Sequence, residues 1–185
     1  MAEGMKNSIP IHDITDPDLF QQIVAEYFRC LKNEKQDFHI SDIDVDDTGI
    51  GCDNGCDILV DFHFEDAIGK HTHRWVVECK SQKRAVGNKD INTNNLYSIL
   101  DSNKASGYLL VCKSDASSQL KKLLKDNDKL KAVIWNGAQL WRKLIASESL
   151  LKSFFPKYYK ENFIINNAKV DFENAFEQFE KQIEE

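Results

Sequence analysis

The chain has 185 residues, of which 42% are hydrophobic and 29% charged, with a formal net charge of −6. That balance fits one globular domain, or one domain with an appendage, and excludes a protein that holds polyanions on a generally basic surface. No window is apolar enough to span a membrane, no secretory leader is visible, and five scattered cysteines point to a reducing, cytoplasmic setting rather than a disulfide framework.

Residues 1–14 show no periodicity and read as a flexible N-terminus. The first helix is well signalled. Thr15 or Asp16 can cap it, Pro17 suits its first turn, and Asp18 sits at its positive end. Leu19, Phe20, Ile23, Val24, Tyr27, Phe28 and Leu31 recur at helical spacing, and the helix should end near Lys32-Asn33. Phe38–Val45 alternates like a strand, with a one-residue slip between its two apolar pairs. The acidic run Asp42, Asp44, Asp46 and Asp47 reads as a solvated edge. It lacks the glycine and closing glutamate of an EF-hand calcium loop.

Gly51 to Arg84 is the most informative stretch. A glycine-rich turn, GCDNGC, leads into a strand over Asp57–Phe64. A polar loop around Gly69 follows, and a second strand over Arg74–Lys80 ends on Glu78-Cys79-Lys80. Alternate side chains of a strand share a face, so Glu78 and Lys80 point one way while Val77 and Cys79 point the other. If the two strands pair as a hairpin, Asp57 at the start of the first meets Glu78 and Lys80 at the end of the second. Two carboxylates and an ammonium then converge. That set can hold a hard divalent cation and place a cation beside the water it activates. A plain cross-strand ion pair gives the same pattern. Asp53, earlier in the turn, and Asp61, on the same face as Asp57 but further from the strand start, are the rival aspartates. Cys52, Cys56, His71 and His73 form a weaker alternative as a zinc set, since C-x3-C with H-x-H across a strand is not a finger spacing. A Cys79 nucleophile is weaker still, because the thiol should face the core.

Lys83, Arg84 and Lys89 cluster just after the second strand, a natural place for backbone phosphates or equally a solvated loop. Asp90 can cap a helix running to about Ser102, with Asn92, Asn94 and Asn95 on its first turns. Gly107–Cys112, GYLLVC, reads as a strand covered on both faces. Ser114-Asp115 should cap a helix that dissolves near Asp126, Leu130–Trp135 is another buried strand, and Asn136-Gly137 is a turn. Short helices follow over Ala138–Ala146 and Ser149–Phe155. The tail Lys169–Glu185 is spaced as a helix with Phe172, Phe176, Phe179 and Ile183 on one face. A hairpin followed by alternating helices and strands predicts an α/β/α sandwich with a mixed sheet.

The ordered set of helix, Gly51-Cys52-Asp53-Asn54-Gly55-Cys56-Asp57 turn, strand, Val77-Glu78-Cys79-Lys80 strand end, helix and strand resembles the PD-(D/E)xK nuclease superfamily, and within it the Mrr-like restriction endonuclease branch. The resemblance covers about Phe20 to Trp135. It implies a restriction-endonuclease-like α/β/α sandwich with C-terminal helices. With the periodicities above, the chain then reads as a nuclease domain over 15–160 followed by a C-terminal helix over 161–185 that packs on the domain, contacts a second copy or serves as a linker. It implies a Mg²⁺-dependent DNA endonuclease, with Mn²⁺ able to substitute, acting in restriction or antiviral defence. Asp57, Glu78 and the Cys79 backbone carbonyl would hold the ion, with Lys80 as the catalytic cation. Many relatives carry a glutamate on the first helix directly after a phenylalanine. Here Gln21 follows Phe20, so Gln21 or Glu26 would stand in that outer shell. The implied partners are DNA and a second copy of the chain in a homodimer or larger assembly. The run from Ile134 to Pro156 resembles the end of nuclease domains that precede larger antiviral NTPases, although no Walker motif lies in this chain. The alternative is a catalytically degenerate nuclease fold that binds DNA or protein.

Overall fold

A computed structural model describes residues 9–33, 40–47, 55–127 and 130–164. Phe38, Cys52, Asp53, the turn before Gly55 and the expected helix over Lys169–Glu185 lie outside the described residues. The chain divides into two units, Met1–Ala146 and Ser147–Glu185.

The first unit is built on a five-stranded sheet of order β1-β2-β3-β4-β5. Its strands are β1 Ile40–Asp47, β2 Ile58–Glu65, β3 Lys70–Lys80, β4 Gly107–Cys112 and β5 Ala132–Trp135. The first three pair antiparallel and the last three parallel, so the sheet is mixed as the alternation predicts. Across it, Leu59, Val76, Tyr108 and Ala132 stand in one row. This face is covered by α2, Leu96–Ser102, and α3, Ser118–Lys125, whose Leu96, Ile99, Leu100, Leu120 and Leu124 join Val76, Tyr108, Leu110 and Cys112 in one buried cluster. The other face carries α1, Pro17–Asn33, whose Phe28 ring meets Phe62 and stacks on Trp135. Lys143 of α4, Gly137–Leu144, reaches over the Trp135 ring on the same side. Helices on both faces of a mixed sheet make the α/β sandwich. None of the described helices is long and apolar enough to cross a membrane.

Several boundaries differ from the sequence reading for identifiable reasons. Within the segment expected to be flexible, Pro10–Asp13 forms a 3-10 turn and Ile11 is fully buried. The slip expected in β1 is a register shift between Ile40 and Asp42, and the strand runs on to Asp47. Strand β3 starts at Lys70, because the hairpin loop closes tightly. The Asp66 carboxylate accepts from the N–H groups of Ile68 and Gly69, and the Asp66 N–H donates to the Gly69 carbonyl. Ser117, not Ser114-Asp115, caps α3, since Ala116 bridges to Val86 and holds that stretch extended. Asn136 is the N-cap of α4 in a full capping box with Gln139.

The second unit holds α5, Glu148–Phe154, and α6, Pro156–Tyr159. Glu148 ties the two helices. Its carboxylate pairs with Lys152 at 2.7 Å and accepts from the Tyr159 hydroxyl at 2.5 Å.

Candidate active site

The hairpin register delivers the predicted meeting. Ile58 stands opposite Val77, and the Asp57 N–H donates to the Val77 carbonyl at 3.0 Å, which extends the ladder one residue and brings Asp57 beside Glu78. The Asp57 carboxylate then crosses the strand end and accepts from the Cys79 N–H at 2.6 Å. Glu78 is 2% exposed, and its Oε1 accepts from Lys80 Nζ at 2.8 Å. Asp57, Glu78 and Lys80 line one open cavity of about 580 Å³, whose other wall is Gly55 and the loop Lys89, Asp90, Ile91 and Asn92.

The electrostatics follow from burial. It pushes the Asp57 carboxyl above its ordinary range, against the opposing pull of the Cys79 N–H and Lys80, with Asp47 adding to the rise. Burial pushes Glu78 up as well, against Lys80 and the Tyr108 hydroxyl. Lys80 loses hydration too, but Glu78 and then Asp57 outweigh that loss and hold its ammonium above the usual lysine value. The cluster therefore has two carboxylates that are costly to ionise together and one cation to share between them. A second cation in the cavity would relieve both acids.

The remaining candidates sort themselves. Asp61 is fully engaged by Arg74, its cross-strand partner, through two bonds of 2.7 and 2.6 Å, and the guanidinium holds its carboxyl below the usual range. Cys79 points off the cluster, as its alternation requires, and burial raises its thiol well above the ordinary value, so it is no nucleophile. The zinc set fails on geometry. His73 pairs with Phe62 while Cys56 lies before Ile58, which separates them by on the order of 20 Å along the hairpin. Among the described residues no group of three His, Cys, Asp or Glu side chains converges as a ready-made cage.

Gln21 does reach the site's edge. Its amide donates to the Asp57 backbone carbonyl at 3.0 Å and to an Asp47 oxygen at 2.7 Å, so α1 fixes the turn that presents Asp57. Glu26 instead pairs with Arg29 at 2.6 Å, one helical turn further on. Of the three basic candidates, Lys89 lines the cavity and Lys83 is exposed. Arg84 is bound by both nitrogens to Asp90, whose carboxylate also accepts from the Gly87 N–H at 2.7 Å and Gln82 at 3.1 Å. That use of Asp90 corrects its expected role as a helix cap. Residues 89–92 form part of the cavity wall, Thr93–Asn95 is a 3-10 turn, and α2 begins only at Leu96. The asparagine-rich stretch favours turns over helix in any case.

Two residues escaped the sequence reading. Tyr108 of β4 donates its hydroxyl to Glu78 Oε2 at 2.5 Å from a fully buried position. A tyrosine in an otherwise aliphatic buried strand needs a partner for its hydroxyl, and that was the available signal. Asp47 belongs to an acidic run whose pattern resembles a solvated edge, yet it stands close enough to raise Asp57.

A mixed sheet of this order, helices on both faces, and an acid–acid–lysine cluster at the end of a hairpin define a restriction-endonuclease-like α/β domain. The restriction endonuclease family model Mrr_cat matches residues 13–144, and the chain belongs to that family. Among solved structures it is similar to the DNA modification-dependent restriction endonuclease AspBHI, with 17% identity and a TM-score of 0.54, over 75% of this chain and 34% of that one. A second similar structure is MspJI restriction endonuclease in complex with a 27-mer oligonucleotide, with 13% identity and a TM-score of 0.45, over 74% of this chain and 29% of that one. The chain thus spans about a third of the length of these proteins. No curated protein matches it.

Proposed function

We propose that this domain is a Mg²⁺-dependent DNA endonuclease that hydrolyses phosphodiester bonds in restriction or antiviral defence, in the cytoplasm. The observation that carries the reading is the convergence of Asp57, Glu78 and Lys80 in one cavity of a family member. The donor set suits a hard cation. Two carboxylates, both raised by burial, and the Cys79 backbone carbonyl would hold Mg²⁺, or Mn²⁺ in its place, with waters completing its shell. The bound ion would supply charge neutralisation at the phosphate and a more acidic water.

The chain's own groups do the rest. The Cys79 N–H and the Gln21 amide fix the Asp57 carboxylate and its backbone, respectively. Lys80 lines the cavity, and its ammonium can orient the attacking water or stabilise charge on the phosphorane-like transition state; it could take the water's proton only where a bound cation lowers its pKa. Lys89 on the facing wall would take the neighbouring phosphates, and the exposed Lys83 would add a second positive charge on the same stretch of chain. Cutting both strands requires two such sites, which a homodimer or larger assembly supplies. Light scattering that finds only monomers on a cut duplex would overturn that part.

The test is cleavage of supercoiled plasmid with Mg²⁺ or Mn²⁺, with an EDTA control, comparing wild type with Asp57→Ala, Glu78→Ala and Lys80→Ala. Metal-dependent nicking by wild type, lost in all three variants, is the expected result. Cleavage that survives Glu78→Ala and Lys80→Ala moves the chemistry elsewhere. A wild type that binds DNA without cutting it leaves a binding module.

A further inference from the structure

Glu78 has its two oxygens in different hands. Oε1 accepts from Lys80 Nζ at 2.8 Å, and Lys80 lines the cavity. Oε2 accepts from the Tyr108 hydroxyl at 2.5 Å. The Oε2 side is also walled. A side chain at Gly55 would bring its Cβ to 3.3 Å from Oε2 and 3.3 Å from Ile99 Cδ1. Gly55 has φ +76, a conformation glycine adopts without strain, so the backbone can close on the carboxylate there.

Tyr108 is itself fully buried. It is exposed to neither solvent nor cavity, being 0% accessible, and stands opposite Val76 in the parallel ladder. Its N–H donates to the Lys131 carbonyl at 2.9 Å. A hydroxyl delivered from so fixed a backbone selects one orientation of the carboxylate it meets. Long acidic side chains otherwise hold several rotamers of similar energy, and choosing one on ligand binding costs affinity.

We infer that Tyr108 is a positioning residue of this site, which locks Glu78 through Oε2 and leaves the Lys80-side oxygen Oε1 as the one offered to a divalent cation. The inference rests on the proposed metal-dependent reading and adds to it which oxygen serves and what holds it. Second partners of metal ligands of this kind are worth about 10- to 100-fold in metal affinity when removed.

The experiment is Mn²⁺ titration by calorimetry on the full chain as wild type, Asp57→Ala, Tyr108→Phe, Glu78→Gln and the Tyr108→Phe/Glu78→Gln double variant, each with a thermal melt. Tyr108→Phe keeps the buried ring and removes the hydroxyl alone. The expected result is Mn²⁺ binding that is lost in Asp57→Ala and about 10- to 100-fold weaker in Tyr108→Phe. In the Glu78→Gln background, Tyr108→Phe should make no further difference. Wild-type binding that Tyr108→Phe leaves unchanged, with only the melt lowered, overturns the inference, because the hydroxyl is then merely structural. The same holds if Tyr108→Phe weakens Mn²⁺ equally with and without Glu78. Wild type that binds no Mn²⁺, or binds it equally in Asp57→Ala, overturns the metal-dependent reading instead. If Tyr108→Phe does not fold, anomalous diffraction from wild-type crystals soaked in Mn²⁺ decides. An ion on Oε1 with Tyr108 still bonded to Oε2 upholds the inference, and an ion spanning both oxygens overturns it.

Discussion

Asp57, just before β2, and Asp61 within it lie four residues apart, and they differ in surroundings: Asp57 lines the cavity of the proposed cation site, while Asp61 is paired with Arg74. Replacing each by asparagine tests that difference. Asp57→Asn removes a negative charge from the proposed cation site and keeps an oxygen able to accept from the Cys79 N–H. Loss of one of two carboxylate ligands should cost roughly 4 kcal/mol of transition-state stabilisation, or about a thousandfold in rate. Its effect on the metal-free fold should run the other way. Burial holds the Asp57 carboxyl above its ordinary range, so the ionised form is a cost at neutral pH, and the neutral amide should melt no lower than wild type. Asp61→Asn breaks the two-bond pairing with Arg74, in which the side chains are 16% and 38% exposed. A bidentate pair on a half-wet face is worth about 1 kcal/mol, and the melting temperature should fall by about 2–4 °C. Cleavage by Asp61→Asn at a temperature where it is folded should stay within about threefold of wild type, well under 1 kcal/mol of barrier. Plasmid cleavage and scanning calorimetry on the two variants read both quantities. Loss of cleavage in Asp61→Asn, or Asp57→Asn cutting within tenfold of wild type, refutes the assignment.

Three further outcomes follow from particular contacts. Asp57 and Glu78 are both raised by burial, so their contribution to stability is fully present below the ordinary carboxylate pKa and is lost as pH rises through their folded values. The metal-free melting temperature of wild type, relative to an Asp57→Asn/Glu78→Gln variant, should therefore fall as pH rises from about 4 toward 7, and a flat difference would contradict it. Asp61 and Asp90, both lowered by their arginines, do not interfere in that window, because their contribution is lost only on acidification below it. Gly137→Ala would place a Cβ 2.1 Å from the Lys113 carbonyl oxygen and 2.8 Å from His12 Cε1. Neither the backbone carbonyl nor the capped first turn of α4 can yield cheaply, and urea unfolding should show a loss of about 3 kcal/mol. Lys89→Ala should lower the slope of log affinity against log salt for duplex DNA by about one, more than Arg84→Ala, since Arg84 is already spent on Asp90. The reverse order would show that the Arg84–Asp90 pair opens for phosphate.

The parts of this site that the sequence made legible are those set by short-range rules. Period-two alternation places Glu78 and Lys80 on one face, and antiparallel pairing across a four-residue turn brings Asp57 to them. Strand β4 is visible as an apolar run because both its faces are covered, whereas β5, expected to be buried, is only partly covered and leaves Val133 38% exposed. The misreadings have a common cause. Asp90 followed by a polar turn looks locally like a helix cap, but its carboxylate answers to Arg84, Gln82 and Gly87, which are arranged by the Val86–Ala116 bridge about thirty residues away in sequence. Ser114-Asp115 was displaced as a cap by the same bridge. Tyr108 and Asp47 matter only through strands whose register with the hairpin no local pattern states.

The parallel pairing of β4 with β3 also sets the order in which the site can come into being. Asp57, Glu78 and Lys80 all sit on a hairpin of local contacts, which can form early and cheaply. The hydroxyl on Glu78 and the Lys113 N–H on the Lys80 carbonyl arrive only with β4, after the chain has passed through α2 and closed a long loop. A chain halted before residue 107 would carry all three hairpin residues and still lack the contacts that hold two of them. On the proposed nuclease reading, the site would therefore be complete only after the non-local closure of the sheet, and a chain lacking β4 would lack the contacts that hold Glu78 and Lys80.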